Sequence, residues 1–371
     1  MKIESISIQN FKIFENLEVS FKNKTLDEVS DRFLILGDNG TGKTTLLQAI
    51  ALPLELATQK IQQPSAFNWS GFLYNRFFRW GKPRIELNVS FSDEELEATR
   101  EVALRWYYGT SDEFRPKDFI KPGNSPLVKV ILEGGNWKVG NTLEEHFQFQ
   151  GRYYARKIIQ ERGDQSVRSE LGKLPGIFWF DQFRNLVSNP SRSSEISDEN
   201  GQEKNIKDFS KIGVGRLRQF LINWRERQES GFPPYETDYL VELETLYTKI
   251  FPERSFWGLE SLPNLNSPTE RDTYFLLKYK NRTYDLVEMS AGEQAIFPIL
   301  YEIVRQQIAY SVVLIDEIDL NLHPPASQFL VRQLPRISPT SQFIFTTHSD
   351  AVRDVVGETE TYRLNQESLC L

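Results

Sequence analysis

The sequence predicts an α/β fold in which a mixed sheet is flanked by helices. Arg32–Leu36 is an apolar run of strand length that ends at a glycine, and an apolar helix follows over Lys43–Leu56. Val312–Ile315 is a second apolar strand, and Gln342–Thr346 is a third that follows a helical stretch around Ala326–Leu334. Alternation of buried strands with helices is typical of α/β domains.

Periodicity and capping predict further elements before and between these strands. Alternation of apolar and polar residues indicates strands at Lys2–Gln9, Leu17–Phe21 and Pro83–Phe91. Ser92, followed by acidic residues, is an N-terminal capping signal that opens a helix over Asp93–Tyr108. Leu127–Val139 is expected to form a hairpin that turns at a Gly-Gly-Asn sequence.

The middle of the chain predicts an inserted, partly helical lobe over residues 96–270, within a single domain whose core is 1–95 and 271–371. Residues 188–207 are polar without periodicity and predict a surface loop. No long heptad pattern is present, so we expect no long coiled coil. The other expected elements are strand Gly176–Phe180, helices Gly213–Glu229 and Glu236–Ile250, and strands Arg271–Lys280 and Arg282–Val287.

Composition argues against several classes of protein. The hydrophobic content of 39% is enough for a packed core, and the single cysteine, Cys370, leaves no internal disulfide. The apolar runs are too short to span a bilayer and the N-terminus lacks a signal peptide, so we expect a cytoplasmic protein without a membrane partner. A net charge of −7 argues against a uniformly basic surface, although a local basic track is compatible with it.

A glycine-rich loop follows the first buried strand and opens a helix. Its sequence is Gly37-Asp38-Asn39-Gly40-Thr41-Gly42-Lys43-Thr44-Thr45. In this context, successive backbone N–H groups surround a phosphate, and the helix N-terminus adds positive potential. Lys43 would neutralise phosphate charge, and the Thr44 hydroxyl would bind Mg²⁺. The whole run from Gly37 to Thr45 therefore predicts a site for a nucleotide phosphate, with Thr44 beside its Mg²⁺.

Two further motifs carry charge or anion-binding capacity. Asp316 and Glu317 directly follow an apolar strand, whose carboxyl end should open into a ligand crevice. Asp316 is expected to hold Mg²⁺ through water, and Glu317 to polarise the attacking water as a general base. Ser290-Ala-Gly292-Glu293 begins a helix and offers a second anion site, although an ordinary N-cap would explain Ser290 equally well.

These motifs, in this order and with a later Thr-Thr-His-Ser run, resemble those of ABC-type ATPases of the RecF, SMC and OLD group. The resemblance implies that Ser290, Gly292 and Glu293 form the signature motif, which in that family meets the ATP of the opposite subunit. An ATP-dependent homodimer is therefore expected. By the same resemblance, Asp319 crosses the dimer interface and His348 senses the γ-phosphate.

The resemblance implies two more site residues. A glutamine of the family binds Mg²⁺ between the first two motifs, and Gln182 is our candidate, with Gln150 and Gln160 as alternatives. The N-terminal Gln-Asn-Phe-Lys sequence ending at Lys12 resembles the start of RecF- and SMC-like heads. Lys12 would then approach the phosphates; otherwise it is a surface lysine at the end of a strand.

The Leu-His-Pro sequence that ends at Pro324 is most similar to stand-alone, OLD-like ATPases of bacteria. OLD proteins continue into a Toprim nuclease domain, for which the stretch from Ser349 to Leu371 is too short. We therefore expect a separate effector such as a nuclease, an arrangement that resembles the Septu and PARIS anti-phage systems. The alternatives are a RecF-like repair ATPase without a nuclease partner, and a scaffold that turns ATP over slowly.

The segment Phe67–Trp80 interleaves aromatic residues with Arg76 and Arg79. Aromatic side chains and arginines together can stack on bases and neutralise phosphates, which makes nucleic acid a candidate partner. The alternative is a buried aromatic lid with arginines extended to solvent, and we favour it.

Overall fold

The computed structural model describes residues 1–182, 214–231, 238–263, 269 and 271–364. The chain forms two compact units, one of Met1–Asp181, Gln306–Asp319 and Pro324–Leu371, the other of Gln182–Arg305 and Leu320–His323. The lobe predicted at 96–270 spans parts of both units. The surface loop predicted at 188–207 and Cys370 lie outside the described residues.

The helices and strands follow the chain in this order. The helices are α1 (Lys43–Ala57), α2 (Asp93–Gly109), α3 (Leu143–Phe147), α4 (Gly151–Arg162), α5 (Val214–Ser230), α6 (Tyr239–Ile250), α7 (Ala291–Gln306), α8 (Pro324–Ile337) and α9 (Asp350–Val356). The strands are β1 (Lys2–Phe11), β2 (Phe14–Ser20), β3 (Arg32–Leu36), β4 (Arg84–Ser90), β5 (Leu127–Glu133), β6 (Asn136–Val139), β7 (Gly176–Phe180), β8 (Arg254–Pro263), β9 (Arg271–Tyr279), β10 (Arg282–Asp285), β11 (Ser311–Ile315), β12 (Gln342–Thr347) and β13 (Thr361–Arg363).

A parallel sheet of order β13-β3-β12-β11-β7 organises the first unit. Ile315 of β11 pairs with Phe345 of β12 and with Phe180 of β7, so β11 and β7 end at the same level and β12 continues to Thr347. The loop after β3, the acidic pair after β11 and the histidine after β12 consequently leave the same edge of the sheet. This register is what brings motifs that are distant in sequence into one place.

The first unit also contains an antiparallel sheet of order β2-β1-β4-β5-β6. Its strands alternate buried and partly exposed residues, as β4 does throughout. Every residue of α1 except Thr44 is buried, as its apolar sequence favours. Large apolar side chains from both sheets and α1 form one core, and each contributes about 1.5–3 kcal/mol through burial.

The second unit contains an antiparallel sheet of order β10-β9-β8, together with α5, α6 and most of α7. Both α5 and α6 contact the sheet. Among the described residues no helix exceeds 17 residues, and no long coiled coil is present, as predicted. No helix in the described part of the chain is long and apolar enough to cross a membrane.

The guanidinium group of Arg152 on α4 binds backbone carbonyl groups of two segments of the chain. It donates to the carbonyl oxygens of Leu171 and Leu174 at 2.8 and 3.1 Å, and to those of Gln306 and Gln307 at 2.8 and 3.0 Å. Gln306 is the last residue of α7, where unpaired carbonyl groups favour a cation. Arg152 thereby caps this helix end.

Replacing Arg152 with Met is expected to lower the free energy of unfolding by about 2–4 kcal/mol, because four carbonyl groups lose a charged donor. Chemical denaturation of both proteins measures this difference. The matched control is Arg156→Met, since Arg156 lies exposed one turn further along α4. Equal stabilities for the two variants would contradict the capping role.

Candidate nucleotide site

The phosphate loop between β3 and α1 has a backbone that only glycine adopts easily. Gly40 and Gly42 have φ values of +83° and +97°. A Cβ atom on Gly42 would lie 2.7 Å from Phe14 Cζ, and closer still to Ile13. The two glycines therefore let the chain turn tightly into α1.

Lys43, the first residue of α1, lies inside the loop that precedes it. Its Nζ donates to the carbonyl oxygens of Gly37 and Asp38, both at 2.9 Å, and the side chain is largely buried. Burial lowers the pKa of Lys43 below its usual value, while the carboxylates of Glu317 and Asp316 partly oppose that shift. The ammonium group thus lies where a phosphate would enter the loop.

Asp316 connects the phosphate loop to the ends of two strands. The Thr44 hydroxyl donates to its Oδ2 at 2.7 Å, and the Thr346 hydroxyl donates to its Oδ1 at 2.6 Å. Asp316 is fully buried. A hydroxyl and a carboxylate held this close are oxygen ligands of the kind that Mg²⁺ prefers.

The donor set fits Mg²⁺ shared with a nucleotide. No group of three or more His, Cys, Asp or Glu side chains in the described residues could hold a metal by itself. Mg²⁺ commonly keeps several waters and binds one or two protein ligands plus substrate phosphates. Thr44 and Asp316 could supply that protein share.

Glu317 has an unusual backbone conformation. Its φ is +47°, in the left-handed region that residues other than glycine rarely adopt. Its backbone N–H donates to the Thr346 hydroxyl at 2.8 Å, and the next N–H, of Ile318, donates to the Thr346 carbonyl at 3.0 Å. Neighbouring residues therefore hold this conformation, and such held strain is concentrated at functional sites.

Asp319 is hydrogen-bonded to the segment that carries His348, where β11 and β12 end. The Thr347 hydroxyl donates to Asp319 Oδ1 at 2.6 Å and accepts from the backbone N–H of Ser349 at 2.9 Å. His348 is exposed and lies between Thr347 and Ser349 in the sequence. The first unit therefore brings together Lys43, Thr44, Asp316, Glu317, Asp319 and His348.

A cavity of about 730 Å³ lies beside the phosphate loop. Lys12 lines it, and its Nζ donates to Gln48 Oε1 at 2.6 Å and to the Gly71 carbonyl at 3.0 Å. Burial lowers the pKa of Lys12. Gly40 of the phosphate loop lines the same cavity. Residues that our sequence reasoning did not assign to this site complete the lining, among them Asn10, Ile13, Arg79 and Trp80.

The aromatic segment Phe67–Trp80 is divided between core and surface. Phe67, Trp69 and Phe77 are buried, whereas Trp80 is 63% exposed. Arg76 and Arg79 are exposed on the cavity side. The pattern of aromatic and basic residues thus also indicated a cavity lining, besides the nucleic-acid surface and the buried lid that it predicted.

The residues predicted to form the signature motif lie in the second unit. Ser290 is exposed directly before α7, and its hydroxyl donates to Glu293 Oε2 at 2.7 Å. A Cβ atom on Gly292 would lie 3.3 Å from Leu322 Cδ2, so this position has little room for a side chain. Burial alone would raise the pKa of Glu293, but hydrogen bonds from Tyr247, Ser290 and Tyr284 lower it overall.

Gln182 is half-buried in a turn directly after Asp181. Of the alternatives, Gln150 is buried, with its Nε2 3.0 Å from His146 Nε2, and Gln160 is exposed on α4. Asp181 is buried beside Asp316, because the Asp316 N–H donates to the Phe180 carbonyl at 2.8 Å. Asp181 was not among the predicted site residues. Its position directly after the apolar run of β7 was the sequence signal that could have indicated it.

The fold is a P-loop ATPase fold similar to that of an SMC head. The solved structure of the SmcHead bound to the C-winged helix domain of ScpA is similar, with a TM-score of 0.50 and 16% identity. The match covers 96% of this chain and 92% of that one. The chain belongs to the AAA ATPase domain family, whose model matches residues 1–212. A second model, described as an AAA domain, matches residues 176–354.

Several curated relatives match nearly the whole chain, among them a retron protein and a Septu protein. The "Retron Vc95 probable ATPase" of Vibrio cholerae serotype O1 biovar El Tor is 21% identical, over 99% of this chain and 74% of its own length. The "Septu protein PtuA" of Bacillus mycoides (strain KBAB4) is 23% identical, over 98% of this chain. The match covers only 41% of the Septu protein. The chain is thus similar, over nearly its whole length, to a retron probable ATPase and to a Septu protein.

Proposed function

We propose that the protein binds ATP with Mg²⁺, hydrolyses ATP, and uses the nucleotide to bring two copies together. The observation that supports this best is the link from Thr44 through Asp316 to Thr346. It places the phosphate loop, the acidic pair and the end of β12 around one point.

Each residue of the site has a separate role in this proposal. Lys43 binds phosphate oxygens in exchange for the loop carbonyl groups, and Thr44 and Asp316 hold the metal. Bound Mg²⁺ would neutralise charge on the phosphate oxygens. Glu317 takes a proton from the attacking water, and His348 binds the γ-phosphate. The cavity lined by Lys12 and Trp80 receives the base, because its lining is mostly apolar and adjoins Gly40.

A second copy completes the site in this proposal. Ser290 and Gly292 supply donors at a helix N-terminus, which suits a terminal phosphate. Glu293 supports Ser290, and Asp319 lies at the contact between copies. Because ATP then joins the two copies and its hydrolysis releases them, nucleotide state becomes a conformational signal.

We further propose that this signal controls a separate effector, such as a nuclease, in anti-phage defence. Its support is the similarity to retron and Septu ATPases together with the OLD-like Leu-His-Pro sequence.

A RecF-like repair function is the second candidate, supported by exposed Arg76 and Arg79 beside exposed Trp80. That function would require DNA to stimulate ATP turnover. A slow scaffold would instead form a stable ATP-bound assembly with little turnover.

The mass in solution of the Glu317→Gln protein, with and without ATP and Mg²⁺, tests the proposed switch. We expect a monomer without nucleotide and a dimer with it, because ATP binds but is not consumed. The Glu317→Gln protein that also carries Lys43→Ala is the matched control and should stay monomeric. An oligomer of the same mass in all conditions would contradict an ATP-dependent switch.

A further inference from the structure

The carboxylate of Glu293 is buried in the second unit among groups from three other elements. Its Oε1 accepts from the hydroxyl of Tyr247 on α6 and, at 2.8 Å, from the hydroxyl of Tyr284 on β10. Arg254 Nε, at the start of β8, lies 3.0 Å from the same oxygen. Only 1% of Glu293 is exposed. Buried carboxylates require such partners, so Glu293 is held from three sides.

The second oxygen of Glu293 holds Ser290. Its Oε2 accepts from the Ser290 hydroxyl at 2.7 Å and from the Ser290 backbone N–H at 3.0 Å. A serine hydroxyl has a single proton to donate. While the Ser290 hydroxyl donates its hydrogen bond to Glu293, it cannot donate one to a phosphate.

Helix capping alone does not require that the glutamate be buried among such partners. A Ser-x-x-Glu capping box needs only the two end residues. The chain makes an equivalent box a few residues earlier, between Asp285 and Glu288, and there the glutamate is exposed. The burial of Glu293 among two tyrosines and an arginine is thus additional to the cap.

We propose that Tyr247, Tyr284 and Arg254 are positioning residues that act through Glu293 and set how readily the Ser290 hydroxyl turns to a phosphate held by a second copy. The inference rests on the proposed function, in which Ser290 meets the partner's ATP. The two oxygens of Glu293 share one negative charge, so donors on Oε1 weaken the hold of Oε2 on Ser290. A protein partner that shifts α6, β8 or β10 would change this hold.

Tyr284→Phe tests the proposal because it removes one hydroxyl and keeps the ring. In the Glu317→Gln protein with saturating ATP and Mg²⁺, we expect the dimer to dissociate about tenfold more readily. Binding of ATP to a single copy should stay within about twofold, since Lys43 and Thr44 are untouched. Sedimentation equilibrium and a fluorescent ATP analogue measure the two quantities.

Tyr274→Phe is the matched control. Tyr274 lies on β9, its ring lies 5.0 Å from the guanidinium of Arg218, and its hydroxyl has no hydrogen bond to any described residue. Dimer dissociation should not change in this control. If Tyr284→Phe lowers the melting temperature so far that the protein unfolds, Tyr247→Phe removes the other hydroxyl from the same oxygen and carries the same expectation.

A double-mutant cycle with Ser290→Ala separates positioning from general support of the fold. If the tyrosine acts through Ser290, Tyr284→Phe should have no further effect once Ser290→Ala is present. An equal loss in both backgrounds would overturn the proposal. If Ser290→Ala alone leaves ATP-dependent association intact, the proposed role of Ser290 fails, and this inference fails with it.

Discussion

Replacing Glu317 with Gln should slow ATP turnover by about 10²–10⁴-fold, because the amide cannot take a proton from the attacking water. ATP binding should be preserved, since the phosphate contacts come from Lys43 and the loop. Steady-state phosphate release and equilibrium binding of an ATP analogue measure the two properties.

Glu358→Gln is the matched control for this variant. Its side chain is 75% exposed, and its substitution should leave turnover unchanged. The left-handed backbone at Glu317 is held by Thr346, so Gln should occupy the same position without a change of fold. Turnover at the original rate would exclude Glu317 as the general base.

Replacing Lys43 with Ala should weaken ATP binding by at least about 100-fold, because the loop loses the cation that neutralises the phosphates. Turnover should disappear with it at ordinary ATP concentrations. Isothermal titration with ATP and Mg²⁺ measures the loss directly.

A matched control for Lys43→Ala is Lys173→Ala, since the Lys173 side chain is 62% exposed. Melting temperatures of both variants without nucleotide show whether the loop remains folded. A Lys43→Ala protein that melts normally and binds ATP as well as the original protein would contradict the assignment of the phosphate loop.

Local signals made several elements predictable. β3 and β7 have the predicted bounds, because each is an apolar run between polar or glycine residues. The capping box of Ser92 and Glu95 begins α2 where the sequence placed it. Such signals depend only on residues that are close in sequence, so the sequence is enough to recognise them.

Other elements had no comparable signal. α4 begins at a glycine without a side-chain cap, and its buried face is defined by contact with α2. β8 contains an irregularity between Phe256 and Gly258, so it does not alternate regularly, and among the described strands it pairs with β9 alone. These elements depend on packing partners that a sequence pattern does not display.

The sequence by itself determined the motifs, their order and the chemistry that each side chain can supply. Only the tertiary structure decided which of them meet: the parallel register joins Thr44 to Asp316, 272 positions apart, and the second unit buries Glu293 among Tyr247 and Tyr284. The physical reason is that hydrogen bonds and burial depend on distances in space. Strand register and helix packing set those distances, and sequence spacing does not.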